Sequence, residues 1–174
     1  MMITGKEDII QALIEAYLME KGTMEFYAHA SDKALNPDAR ETFSMLSEWE
    51  KKHMEYIQFL YQSFTQDLDI IGFERFRKRM PAPIIEAGIP VKELESKTEK
   101  YSFTDDMGAL SLSLEIEGKA YNLYRMLSEK AVDTNTRVIF EEMMEQELKH
   151  IEYLRDLRER LFETRYKSRI GEAK

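Results

Sequence analysis

The stretch SDKALNPDARETFSMLSEWEKKHMEYIQFL, residues 31–60, returns in altered form as SEKAVDTNTRVIFEEMMEQELKHIEYLRDL, residues 128–157. At this constant offset of 97 residues, Ser31, Lys33, Ala34, Arg40, Phe43, Glu50, Lys52, His53, Glu55, Tyr56 and Leu60 all recur as the same residue types. The same offset carries Glu20 onto Glu117 and Tyr27 onto Tyr124. Two copies at so long a period are too few for a solenoid. They make two equivalent halves of one domain, related by a pseudo-twofold axis.

Each half reads as a helical hairpin. The second helix repeats apolar residues at steps of three and four, Phe43, Leu46, Ile57, Leu60 and Phe64, and the fourth does so with Phe140, Met143, Leu154, Leu157 and Leu161. The first reads Leu13, Tyr17, Met24, Tyr27, and the third Leu110, Leu114, Tyr121, Tyr124. Such spacing marks one face of a helix. The first helix is expected over about 5–33, opened by Thr4 and Glu7 at capping-box spacing. The second covers about 37–64, with Asn36 as cap and Pro37 in the first turn. The third covers about 104–131, opening near Ser102 to Asp105, and the fourth about 134–165, capped by Asp133. Between the hairpins, residues 65–101 hold every proline except Pro37, together with Gly72, Gly88 and the basic cluster Arg75, Arg77, Lys78 and Arg79. This segment is a long crossover, with Phe73, Phe76, Met80 and Ile84 placed to dock on the bundle. The expectation is a single all-α domain over residues 1–174, a four-helix bundle of two antiparallel hairpins.

Composition narrows the function. With 174 residues the chain can bury a real core, and a net charge of -8 leaves nothing to neutralise a phosphate backbone, so nucleic acid is not a partner. There is no cysteine, which removes disulfides, thiolate catalysis and cysteine-held zinc or iron–sulfur groups. No apolar run approaches the roughly 20 residues of a membrane span, so no membrane partner is expected. The start, Met-Met-Ile-Thr-Gly-Lys-Glu-Asp, has neither the basic region nor the apolar core of a secretory signal, and a cytoplasmic location is expected.

Within the apolar stripes sit residues that do not belong in a core. Glu50 and His53 share the register of the second helix, Glu147 and His150 that of the fourth, Glu20 and Glu117 those of the first and third. Counted from the nearest link, all lie roughly 20–27 Å along the bundle at 1.5 Å per residue. Six inward side chains therefore meet at one level. Four ionised carboxylates cannot stay buried alone, because desolvation costs several kcal/mol per ion. Two divalent cations cancel the charge, and carboxylate oxygen with imidazole nitrogen suits iron or manganese, with zinc as competitor.

On these residues the chain resembles the ferritin-like superfamily, whose bundles hold two metals with one Glu from each of two helices and a Glu-x-x-His from each of the others. Within it the chain is similar to the rubrerythrins, with Glu20 followed seven residues later by Tyr27, and Glu117 by Tyr124. The resemblance covers the chain apart from the crossover. It implies Glu20 and Glu117 as terminal ligands, Glu50 and Glu147 as bridging ones, and His53 and His150 each on one metal. It implies a non-haem di-iron oxidoreductase that reacts with peroxide or oxygen, fed by a separate electron-donor protein and assembled as a homodimer or higher oligomer. The alternatives are a ferritin-like module for iron handling or storage, and a structural bundle that keeps the ligands without turnover. Two departures stand out: there are no cysteines for the small iron domain that rubrerythrins usually append, and Ala120 and Tyr121 stand one turn past Glu117 where a further metal-site glutamate is usual.

Tyr27 and Tyr124 lie on the metal stripe, where they can hydrogen-bond a ligand, relay an electron or simply pack. Tyr56 and Tyr153, one turn past the histidines, are expected to pack or support the site, and His29 is expected on the surface. The 11 methionines read as soft core filler. Glu141/Glu142 and Glu93/Glu95 read as solvated faces.

Overall fold

The computed structural model describes residues 6–65, 106–132 and 134–171. They form four helices: α1 (Lys6–Lys33), α2 (Pro37–Thr65), α3 (Asp106–Lys130) and α4 (Thr134–Gly171). Packing is most extensive within each hairpin, α1 on α2 and α3 on α4, and α2 meets α4 across the bundle. This is the all-α four-helix bundle of two antiparallel hairpins that the repeat implies. Thr4, Ser102, Asp105, Asp133 and the crossover with its prolines, basic cluster and docking residues lie outside the described residues.

The first link shows why part of the repeat recurs. Asn36 caps α2 by accepting the backbone N–H of Asp38 at 2.8 Å and of Ala39 at 3.1 Å, while Pro37 needs no partner in the first turn. Arg40 Nη2 reaches back to the carbonyl of Ala34 at 2.9 Å, and Arg137 Nη2 does the same to Ala131 at 3.3 Å. Each arginine satisfies a carbonyl that the preceding helix leaves open at its end. Asp106, the first residue of α3, accepts the N–H groups of Leu35 and Asn36 at 3.1 and 2.8 Å and ties the second hairpin to the first.

The core lies in two apolar layers. One contains Phe26, Tyr27, Phe43, Leu46, Leu110, Ile116, Leu154 and Leu157. The other contains Leu13, Tyr17, Ile57, Leu60, Tyr124, Leu127, Phe140 and Met143. On every helix the glutamate or Glu-x-x-His pair falls between members of the two layers. A polar plane is thus sandwiched between two dry ones.

Three details differ from the sequence reading. On α3 the buried face is rotated: Leu114 and Tyr121 are half-buried, while Ser113, Ile116 and Ala120 are buried. Small side chains on either side of Glu117 are the ones turned inward. The helix α4 continues six residues past Arg165, because no Gly or Pro interrupts it before Gly171. His29 is half-buried rather than fully exposed, with its Nε2 shielded and without a hydrogen-bond partner among the described residues. The buried face of α1 is wide enough, with Phe26, Tyr27 and Ala30 all inward, to draw in its neighbour.

No described helix is long and apolar enough to cross a membrane.

Candidate metal centre

Glu20, Glu50, His53, Glu117, Glu147 and His150 are all buried in the plane between the apolar layers. His53 Nδ1 lies 3.4 Å from Glu20 Oε2, 3.1 Å from Glu50 Oε2 and 3.4 Å from Glu147 Oε1. His150 Nδ1 lies 2.9 Å from Glu50 Oε1, 3.3 Å from Glu117 Oε2 and 3.4 Å from Glu147 Oε2. Each imidazole nitrogen therefore faces one carboxylate private to its own hairpin and one oxygen from each of two shared carboxylates. Glu50 and Glu147 divide their oxygens between the two histidines. The rings of His53 and His150 stack at 4.9 Å and 10°.

Donors on neighbouring corners around one ion, each about 2.1 Å from it, stand about 3.0 Å apart in an octahedron and about 3.4 Å apart in a tetrahedron. The separations here, 2.9–3.4 Å, are close to those values. Ligand atoms of Glu50, His53, Glu147 and His150 all lie within 4.8 Å of one another, compact enough to hold a metal ion. All four oxygens of Glu50 and Glu147 are buried without a hydrogen-bond partner among the described residues. Orphaned carboxylate oxygens in a core are costly. A bound cation is the partner their chemistry calls for.

The electrostatics carry the same strain. Burial pushes the Glu50 carboxyl from 4.5 up to about 7; His150 and His53 pull it down, while Glu20 and Glu117 push it further up. Glu147 is raised well above the usual carboxylate range, by burial first and then by Glu20 and Glu117, against the pull of His150. Burial works against charging His53 and His150, but the surrounding carboxylates outweigh it and raise both. Glu117 goes the other way: burial alone would raise it, and His150 together with hydrogen bonds, one from Tyr27, brings it below 4.5.

The two tyrosines of the metal stripe cross between hairpins. The Tyr27 hydroxyl on α1 donates to Glu117 Oε1 on α3, and the Tyr124 hydroxyl on α3 donates to Glu20 Oε1 on α1. Of the roles open in the sequence, hydrogen bonding to the stripe glutamates is the one the geometry displays. Glu115 is exposed and pairs with Lys119 at 2.6 Å, and buried Ala120 offers no carboxylate, so α3 places no second glutamate in the plane. Exposed Glu142 accepts the Tyr56 hydroxyl at 2.8 Å, an α4–α2 link that spacing did not reveal; it pushes the phenol, already raised by burial, up to about 12.

Trp49 is the residue that periodicity passed over. Its indole stacks on His150 at 5.2 Å and 23°, and Tyr153 meets it edge-on at 4.8 Å and 81°. It is the single tryptophan, and its repeat counterpart is Gln146. That mismatch between copies was the available signal.

Four helices around a buried carboxylate–histidine plane define a metal-binding helical bundle of the ferritin-like kind. A family model described as rubrerythrin matches residues 1–100 and 109–173, and the chain belongs to the rubrerythrin family. No curated protein and no solved structure is matched.

Proposed function

We propose that the chain is a non-haem di-iron oxidoreductase that reduces peroxide or oxygen, with Glu20, Glu50, His53, Glu117, Glu147 and His150 as the metal ligands. The observation that carries this reading is the division of Glu50 and Glu147 between the two histidines, since a carboxylate whose oxygens face different imidazoles is placed to bridge two ions. Manganese or zinc fits the same donors. Bound iron would supply the reducing electrons and the Lewis acidity for cleaving an O–O bond.

The protein's part is to position and to exclude. Tyr27 and Tyr124 fix the terminal carboxylates Glu117 and Glu20 from the opposite hairpin. The apolar layers above and below lower the local dielectric, which strengthens the charge interactions inside the plane. A separate donor protein would supply the electrons, in keeping with the lack of any cysteine to hold an iron–sulfur or similar cysteine-bound centre in these residues.

The test is anaerobic reconstitution with ferrous iron, then stopped-flow mixing with peroxide and, separately, oxygen. About two irons per chain are expected, with oxidation faster than that of free ferrous ion in the same buffer. Oxidation no faster than the free ion with either reagent refutes the oxidoreductase reading.

A further inference from the structure

The repeat makes the two halves of the centre equivalent in ligands, yet their surroundings differ. His150 stacks on two rings, the indole of Trp49 at 5.2 Å and the imidazole of His53 at 4.9 Å. Tyr153 meets that indole edge-on. His53 has no aromatic neighbour other than His150 among the described residues, because the position matching Trp49 holds Gln146. A cavity of about 450 Å³ touches His53 but not His150, lined also by Lys52, Tyr56, Glu142, Met143 and Gln146. A smaller one, about 200 Å³, touches both imidazoles and has Trp49 in its wall. Exposure follows the same order, 7% for His53 against 1% for His150.

An ion held by buried protein ligands enters or leaves only when a ligand swings aside, and a ring needs empty space to swing into. His53 borders both cavities, while His150 borders only the smaller one, whose wall includes Trp49. We infer that the two metal positions exchange at different rates: the His53 position is the exchangeable one, open through the α2–α4 cleft, and Trp49 is a lid that retains the ion at His150. The inference rests on the two-metal reading above and adds an order to it. Ions load and leave through the His53 side, so a half-filled protein keeps its ion at His150.

Cobalt(II) is the probe, since it takes oxygen and nitrogen ligands and does not oxidise readily in air. The loaded protein is mixed with excess colorimetric chelator and release is followed with time. Fewer than two cobalt ions per chain before mixing counts against the two-metal reading itself. With two ions loaded, release in two phases of equal amplitude is expected. Trp49→Gln copies the His53 surroundings onto His150 and should speed the slow phase by about tenfold or more, the scale of losing a side chain that supports a ligand. Gln146→Trp should slow the fast phase, and Trp49→Phe, which keeps a stacking ring, should stay close to the parent. A single release phase in the parent protein overturns the inference while leaving the two-metal reading intact. So does a Trp49→Gln variant in which both phases accelerate equally, which is the mark of a loosened bundle rather than a lifted lid.

Discussion

Replacing Glu50 by glutamine should stabilise the metal-free protein and destabilise the metal-loaded one. In the metal-free fold the Glu50 carboxyl titrates at about 7 instead of 4.5, with burial as the main cause. A group whose folded value is raised gives its full stabilising contribution below the unfolded value and loses it as pH climbs through the folded one. For Glu50 the loss runs from pH 4.5 to about 7. At about 1.4 kcal/mol per pH unit it reaches roughly 3 kcal/mol by pH 8. Glutamine carries no charge at any pH and escapes that loss, against which stands the cost of an imperfectly bonded buried amide, about 1–3 kcal/mol. The neighbouring carboxylates can accept from its NH₂ group, so a net gain of about 1–2 kcal/mol is expected at pH 8. For a domain of this size that is a rise in Tm of roughly 2–8 °C. At pH 5 the native carboxyl is already protonated, and the gain should vanish or reverse. Glu147→Gln should behave alike, its carboxyl being raised for the same first cause. The assay is thermal unfolding of both variants and the parent at pH 5 and pH 8, with and without cobalt. A metal-free Glu50→Gln protein that melts at or below the parent at pH 8 would falsify the claim that burying a charged carboxylate strains this plane.

Tyr27→Phe and Tyr124→Phe should each weaken metal binding by about tenfold, since each removes a hydrogen bond that orients a terminal carboxylate; chelator competition measures it, and unchanged affinity in both would reduce the phenols to packing. Because Glu50, Glu147, His53 and His150 are all raised, protons must leave before ions bind. Cobalt affinity should therefore fall by at least about tenfold between pH 8 and pH 6, with proton release on loading, and a flat titration between those pH values contradicts it. Arg40→Ala and Arg137→Ala should each cost about 1 kcal/mol, a Tm loss of roughly 2–4 °C, by freeing the Ala34 and Ala131 carbonyls. Loss of less than a degree in both variants would show that water replaces the guanidinium without penalty.

The buried carboxylate–histidine plane was legible in the sequence because helical periodicity is rigid: Glu50 cannot share a register with Leu46 and Ile57 and point anywhere but inward. The recurrence of Arg40 and Arg137 was equally visible, but the carbonyls they serve became clear only with the chain folded. What escaped was long-range and lateral. No spacing rule couples Tyr27 to Glu117 across 90 residues. Nor does one seat Trp49 on His150, since a half-buried side chain at the rim of a helix face falls outside a reading built on the fully buried stripe. Agreement between the copies also carries no information about a position where they differ, such as Trp49 and Gln146. His29 is drawn partly inward for a related reason: α1 buries a broad face, with Phe26, Tyr27 and Ala30 all inward, rather than a narrow stripe.

The crossing of the two phenol–carboxylate bonds has a consequence for how such a chain can arise. In each hairpin the tyrosine serves the other hairpin's glutamate, so Glu20 and Glu117 are each held between the histidine of their own hairpin and the phenol of the other. Two identical copies of the α1–α2 hairpin, docked about a true twofold axis, would nevertheless supply the same carboxylates and imidazoles and both reciprocal phenol bonds. A self-pairing peptide of half this length is thus a sufficient ancestor, and fusion of its duplicated gene adds only the connection. Once fused, the halves no longer have to mutate in step. Positions on the symmetric frame stay bound to their mates by shared chemistry, while one copy of a rim position can become tryptophan and the other glutamine. Asymmetry of that kind is open to a tandem repeat and closed to a homodimer.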